Sequence, residues 1–385
     1  MELLSAQSLG PGLTGPLSSE SDWEALRRRL WTNDRLNLNP GTIGTPSHIV
    51  AEARAGFAKQ FEGWPLGQHT GGREAMRRAR DQIQRLWPHP NPALGLGTTA
   101  QMSSLVPAIC RVLGPLCLVT TTEEHEGALA GWARHPGVEL VLVPPEALLD
   151  TIHQRRPELV LVSHVNWTEG RRVELEPVLQ AAPGWVIVDV AQSLGLHEGM
   201  IRGDIVVGSF HKWLAGPAGS GVSFFSARAR EALGATSWAG HSVDPDAPAP
   251  QFEPAGTQDF SLWAGLDAAL SLYRAIGPSR ALARVRALSE AFAAALPAAL
   301  ARYRLRFFDG ARWTPEPAVS NGGVVVAHFG DDDPYPLYQR LEACGLHVKC
   351  IKGSGRNQLR FGLHWSETTE RLAHALAVIA QEGAR

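Results

Sequence analysis

The chain of 385 residues contains only four cysteines: Cys110, Cys117, Cys344 and Cys350. None forms a CxxC pair, and a chain of this length does not need disulfide staples, so a reducing cytoplasm is the expected compartment. Charge of one sign is also lacking. The formal net charge is −2, which gives the whole chain no electrostatic reason to bind nucleic acid or anionic membrane. No apolar run approaches the length of a membrane span. The N-terminus, Met1-Glu2-Leu3-Leu4, lacks a basic stretch followed by an apolar one, so it does not read as a signal peptide. No metal site is expected. Tyrosine is scarce, with four residues against twelve tryptophans. Trp64, Trp167, Trp213, Trp263 and Trp365 lie beside the segments discussed below, where they either pack a core or line an apolar substrate site.

The apolar share of 44% and charged share of 19% are those of an ordinary globular protein. The length exceeds what one core usually supports, so two domains are expected. The first ~20 residues are rich in Ser, Gly, Leu and Pro and read as a loose arm. Ser47 can cap a helix with Ile49, Val50, Ala53, Phe57 and Phe61 on one face. Residues 72–86 form a basic amphipathic pattern, and residues 279–300 are Ala- and Leu-rich and strongly helical. Ser366 can cap a final helix reaching about residue 381.

Between these helices lie short apolar runs at 93–96, 116–119, 139–143, 159–162, 185–188, 204–207 and 221–225. They are continuous rather than alternating, as expected of strands covered on both faces. Several are spaced widely enough for an intervening helix, which implies βα units and a mainly parallel, seven-stranded sheet. Residues 238–258 are rich in Pro, Asp, Ala and Gly, and form a long connection of the kind that serves function or a partner. A long helix follows, then strand-like runs at 304–308, 323–328, 346–351 and 357–363. The expected organisation is therefore an N-terminal arm and small-domain segment (1–46), a large α/β domain (47–260) and a smaller C-terminal α+β domain (261–385).

The chemistry-bearing residues follow strands. The run Val186-Ile187-Val188 ends in Asp189, and in parallel α/β sheets such strand ends line the ligand crevice. Taken alone, Asp189 reads equally well as a cap. Lys212 follows the next run, within Gly208-Ser209-Phe210-His211-Lys212-Trp213-Leu214-Ala215-Gly216-Pro217. A lysine normally sits on a solvated face, yet Phe210, Trp213 and Leu214 surround this one. A partly desolvated lysine has a lowered pKa and can form a Schiff base. The pair is stronger than either residue. Pyridoxal 5′-phosphate (PLP) needs a lysine to hold its aldehyde and a carboxylate to keep its pyridine nitrogen protonated. Its phosphate needs N–H groups and hydroxyls at a helix N-terminus. The turn Leu96-Gly97-Thr98-Thr99-Ala100-Gln101 supplies these, although helix capping alone would also explain it. His125, in Thr122-Glu123-Glu124-His125-Glu126-Gly127, could stack on the pyridine ring, although a lone His is more often structural or solvated.

The order Thr98-Thr99-Ala100, Glu124-His125, Asp189-x-Ala191-Gln192, Ser209-x-His211-Lys212, Gly256-Thr257 and Arg360 resembles the class V aminotransferase family of fold-type I PLP enzymes. That family includes cysteine desulfurases, isopenicillin-N epimerase-like proteins, hercynylcysteine sulfoxide lyases and kynureninases. The resemblance runs from about Leu38 to the last helix. It implies that Lys212 is the Schiff-base lysine and proton carrier at the substrate Cα. Asp189 would pair with the pyridinium nitrogen, Gln192 with the phenolic oxygen, and His125 would stack on the ring. Thr98, Thr99, Ala100, Ser209 and His211 would hold the phosphate. Gly256 and Thr257 would reach the phosphate of a neighbouring subunit, which implies a homodimer. Arg360 would bind the substrate α-carboxylate, a bidentate task suited to guanidinium. Asn39 and Asn166 are expected beside the substrate.

The resemblance does not single out one reaction. A cysteine desulfurase needs a nucleophilic Cys on a loop shortly before the carboxylate-binding arginine. Cys350 lies instead in an alternating strand-like run, which disfavours that activity. Residues 38–44 resemble the epimerase-like members, residues 209–217 the sulfoxide lyases, and residues 163–170 a kynureninase loop, although His211 stands where kynureninase carries Tyr. The expected function is PLP-dependent chemistry at Cα of an amino acid or a related metabolite, either C–S lysis or epimerisation. Transamination, desulfuration and a kynureninase-like hydrolysis are the alternatives, and a non-catalytic binding protein on the same fold is an alternative of another class. A dinucleotide enzyme is not expected, because Gly216-Pro217-Ala218-Gly219-Ser220-Gly221 precedes a strand rather than a helix.

Overall fold

A computed structural model of the protein describes residues 17–32, 35–89, 92–199, 201–234, 253, 257–320, 323–353 and 355–385. A short strand β1 (Leu36–Asn37) comes first. It is followed by β2 (Ala93–Gly95), β3 (Leu116–Thr121), β4 (Val138–Val143), β5 (Leu159–Ser163), β6 (Trp185–Asp189), β7 (Ile205–Ser209) and β8 (Gly221–Phe225). These last seven form one sheet in the order β2-β8-β7-β6-β5-β3-β4. The pairs β3–β4, β3–β5, β5–β6 and β6–β7 are parallel, and only β8 runs antiparallel to its neighbours. The seven apolar runs of the sequence are these seven strands.

Their continuous apolar character has a direct cause. Successive side chains of a strand point to opposite faces. Leu159 and Leu161 enter one core with Ile187, Ile205 and the Met102, Leu105 and Ile109 side of helix Gly97–Leu113. Val160 and Val162 enter the opposite core with Val186, Val188, Val206 and helix Pro65–Leu86. Each such fully buried aliphatic side chain contributes about 1.5–3 kcal/mol.

The sheet also places the site. The connection from β3 leads outward to the edge strand β4, while those from β4, β5 and β6 lead back across the sheet. Helix Glu126–Ala133 after β3 packs in the first core, and helix Leu175–Ala181 after β5 in the second. The loops leaving β3 and β5 therefore diverge, and ligands of such sheets bind in that crevice, outside the carboxyl ends of the strands.

The smaller unit is a five-stranded antiparallel sheet, built from β9 (Arg306–Phe308), β10 (Trp313–Thr314), β11 (Val324–His328), β13 (Lys349–Gly353) and β14 (Arg356–Gly362). The remaining strand, β12 (Leu346–His347), pairs in parallel with β1. Leu36 and Leu38 are thereby packed in the small-domain core with Phe292, Phe361 and Ile379. Helix Ser261–Ile276 lies just after the division read from the sequence at residue 260. Its Leu262, Trp263, Leu266 and Leu270 nevertheless pack in the large-domain core, since its apolar face meets helices His48–Phe61 and Pro65–Leu86.

Two helix starts differ from the sequence reading, and a third is as expected but lacks its cap bond. Ser47 occupies the N-cap of helix His48–Phe61, but its hydroxyl makes no cap bond. The second helix begins at Pro65 rather than near residue 72, because Pro is well suited to a first helical position. The final helix is Thr369–Gly383, and Thr368, not Ser366, caps it through the N–H of Arg371 at 3.3 Å. The Ser366 hydroxyl is held instead 2.7 Å from His364 Nδ1.

Candidate active site

Four strand ends meet at the crevice. Thr121 closes β3, Ser163 closes β5, Asp189 closes β6 and Ser209 closes β7. Ser163, Asp189 and Ser209 line a cavity of about 580 Å³. Of the residues singled out from sequence, Thr98, Thr99, His125, Asp189, Gln192, Ser209, His211, Lys212 and Arg360 all line it.

Lys212 sits in a tight turn after β7, closed by Gly216 N–H donating to the Phe210 carbonyl at 2.9 Å. Phe210 and Trp213 beside it are fully buried. Burial pulls the Lys212 amine down to about 8, against the partial support of Asp189 and with the help of Arg360. Burial likewise raises Asp189 above the usual carboxylate range, offset in part by Lys212 and by the Ala191 N–H, which donates to Oδ1 at 2.7 Å. Each charge is thus costly without a partner of opposite sign. Burial also lowers His125, assisted by Lys212 and Lys349. Its Nδ1 accepts from the Gly127 N–H at 3.0 Å, so the ring is neutral and caps the following helix.

One end of the cavity is the start of helix Gly97–Leu113. The Thr98 N–H donates to Ser209 Oγ at 2.9 Å, and the two hydroxyls lie 2.8 Å apart. Gly97 has φ +78°, and a Cβ there would lie 3.2 Å from His211 Cε1, so this turn favours glycine. N–H groups and hydroxyls converge here at the positive end of a helix, a ready site for an anion.

The opposite wall comes from the small domain. Arg360, on β14, is 3% exposed, and burial lowers it to about 10. Its Nη2 donates to Asn39 Oδ1 at 3.0 Å and its Nη1 to the Trp167 carbonyl. Asn39 therefore orients Arg360 rather than lining the cavity. Gly41 is needed between them, since a Cβ there would fall 2.7 Å from Gln192 Oε1 and 2.8 Å from Arg360 Nη2.

Other expected residues lie elsewhere. Ala100 is exposed and does not line the cavity. Asn166 is engaged by protein partners: Nδ2 donates to Glu123 of the loop after β3 at 2.5 Å, and Oδ1 accepts from the N–H groups of Glu169 and Arg171 in its own loop. Thr257 is exposed, with Oγ1 3.3 Å from His69 Nε2, and Gly256 lies outside the described residues. Of the tryptophans, Trp167 lines the cavity, while Trp213, Trp263 and Trp365 are buried in the core and Trp64 is exposed.

One residue escaped the sequence reading, and another, Glu124, entered it as part of a motif without a role. Lys349 lines the cavity directly across the sheet from Arg360, and the alternation of β13 was the signal available for it. Glu124 is buried and raised to about 7 by burial. It accepts from Ser163 Oγ at 2.5 Å and Thr121 Oγ1 at 2.9 Å, so a carboxyl-centred network underlies the strand ends.

A family model described as Aminotransferase class-V matches residues 37–325, well over half of the chain. The chain belongs to the aminotransferase class-V family. It is accordingly a PLP-dependent enzyme. A search of curated proteins found no match to this class-V chain. Among solved structures it is similar to an apo cysteine desulfurase from Thermococcus onnurineus NA1, with a TM-score of 0.76 and 20% identity, covering 93% of this chain and 97% of that one. A C-DES mutant with glycine covalently linked to the PLP cofactor gives 0.74 and 19%, covering 95% and 99%. The complex of the cystine C–S lyase C-DES with its product cysteine persulfide gives 0.73 and 20%, covering 90% and 97%. The residues of this class-V chain fit PLP: a buried lysine and a buried carboxylate face one cavity whose end is an anion-ready helix start with a glycine cradle.

Proposed function

We propose that the chain is a PLP-dependent C–S lyase acting on an amino acid or amino-acid-derived metabolite. The observation that carries this reading is a cavity lined by Lys212 and Arg360 that, among the described residues, no cysteine reaches. Cys350 packs against the small-domain core, on the face of β13 opposite to Lys349, and burial pushes its thiol up. A desulfurase passes sulfur to a protein thiol, whereas a lyase needs none.

Bound PLP supplies an electron sink for negative charge at the substrate Cα. Lys212 would hold the cofactor covalently. The helix start at Gly97, Thr98 and Ser209 would bind its phosphate, with His211 beside it. Asp189 would keep the ring nitrogen protonated, Gln192 would serve the phenolic oxygen, and neutral His125 would pack on the ring. Arg360, held by Asn39 and the Trp167 carbonyl, grips the α-carboxylate. Lys212 then takes the Cα proton, a role for which an amine near 8 is far better poised than one at its ordinary value. The Cβ–S bond breaks, and sulfur leaves with the bonding pair and a proton. For a cysteine conjugate, the unsaturated amino acid left behind hydrolyses to pyruvate and ammonia.

Epimerisation is the second reading, favoured by His125 and Lys212 both lining the cavity, where two groups carry a proton. The exposed Thr257 at the end of the long connection supports a homodimer in which this segment meets the neighbouring subunit. Four free cysteines support a cytoplasmic location. The chain has no described helix long and apolar enough to cross a membrane.

The test is a screen of cysteine thioether and sulfoxide conjugates against purified protein supplied with PLP. Equal yields of thiol or sulfenate, pyruvate and ammonia are expected. Deuterium exchange at Cα without sulfur release would replace lysis by epimerisation. A protein that takes up no PLP would sink both readings.

A further inference from the structure

Once the roles above are assigned, one cation of the cavity has no task. Lys349 lies on β13, paired in register with Arg360 on β14. Directly opposed residues of an antiparallel pair project to the same face with Cβ atoms about 5 Å apart. Both side chains line the cavity. Lys349 Nζ stands 5.8 Å from the centre of the Trp167 ring, the residue whose carbonyl accepts from Arg360. Among the described residues, no carboxylate lies within ion-pair distance of Lys349, and burial and Arg360 both depress its amine. Arg360 itself is committed to Asn39 and Trp167 on one side. Among the described residues, that wall thus carries two adjacent positive groups and no negative one; the carboxylates that line the cavity, Glu126 and Asp189, stand on the large-sheet side.

We infer that the substrate carries a second anionic group besides its α-carboxylate, a carboxylate or sulfur oxyanion on the side chain, and that Lys349 binds it. This rests on the reading of the chain as a PLP enzyme on amino acids, and it narrows the substrate class. A neutral side chain would leave the half-buried ammonium with only the face of the Trp167 ring. An acidic one supplies the partner that a charge at such a site demands. The Trp167 ring fixes the ammonium through a cation–π contact.

The experiment is a titration of the PLP-loaded protein followed by the visible absorbance of the cofactor and by calorimetry. L-Aspartate and L-cysteate are compared with L-serine and L-alanine. The acidic pair should bind at least about tenfold more tightly. Lys349→Met should remove that preference and change serine and alanine by less than about twofold. Lys349→Arg should keep most of it. Equal affinity for the acidic and neutral amino acids in the parent protein would overturn the inference and leave the general reading intact. A Lys349→Met variant weakened equally for all four would also overturn it, and would give Lys349 a share of the α-carboxylate. If none of the four perturbs the cofactor or releases heat, the amino-acid reading itself fails.

Discussion

The large-sheet wall of the cavity presents Lys212, Asp189 and His125, whereas the small-domain wall presents Arg360 and Lys349. On the first wall burial drives each group toward its neutral form. These groups sit at strand ends and in turns that rigid parallel strands hold in place. On the second wall two like charges stand side by side on an antiparallel pair. The difference separates the two tasks of the site. The proposed task of the first wall is proton movement by groups near neutrality; burial lowers Lys349 and Arg360 as well, but Arg360, at about 10, stays charged and is suited to recognise an anion.

This contrast orders the expected effects of substitution. The largest belongs to the first wall. Lys212→Ala should lower Cα-deuterium exchange by at least about 1,000-fold, and borohydride treatment followed by peptide mapping should find no PLP attached to the chain. Exchange at the parent rate would end the division of labour. On the second wall, Arg360→Lys should raise KM for the amino acid by roughly 10- to 100-fold, the cost of a charge-assisted hydrogen bond, with kcat changed much less. Equal losses in kcat and kcat/KM would show that Arg360 acts in the chemical step too.

Glu124→Gln probes what lies beneath the first wall. The folded protein holds the Glu124 proton up to about pH 7, against an ordinary value of 4.5. Its contribution to stability is therefore full below about pH 4.5 and is lost as pH rises through 7. The size is on the order of 3 kcal/mol. The Gln variant should show a flatter Tm between pH 4.5 and 7 and should gain on the parent protein above pH 7. An unchanged pH slope would remove Glu124 from the account. Asn39→Ala should have the smallest effect: a KM increase of a few fold, with kcat kept, because Arg360 retains the Trp167 carbonyl.

The first wall was far more legible in the sequence than the second. Buried parallel strands read as continuous apolar runs, so the ends of β6 and β7, and with them Asp189 and Lys212, could be found from the chain alone. Helix starts were less legible. Ser366 and Thr368 are both good caps by residue type, and only the bond from Ser366 to His364 decides between them. Asn166 follows a strand end just as the functional residues do, but its amide is consumed by Glu123 and two loop N–H groups. Lys349 was hidden for a different reason. Alternation in β13 separates Lys349 from Cys350, but it does not say which face meets a cavity built by another domain. Only the register with β14 does that.

The segment from Leu36 to Gly44 joins the two walls mechanically. At one end the Leu38 carbonyl accepts from the Gly362 N–H at 2.8 Å, and Asn39 holds Arg360. At the other, the Gly41 carbonyl accepts from Gln192 Nε2 at 2.9 Å and the Gly44 N–H donates to the His211 carbonyl at 2.8 Å. So short a strap, anchored at both ends, has almost no slack. Any rocking of the small domain that shifts Arg360 must tug on Gln192 and on the backbone beside Lys212, so the carboxylate capture proposed for Arg360 and the placement of Lys212 would travel as one motion.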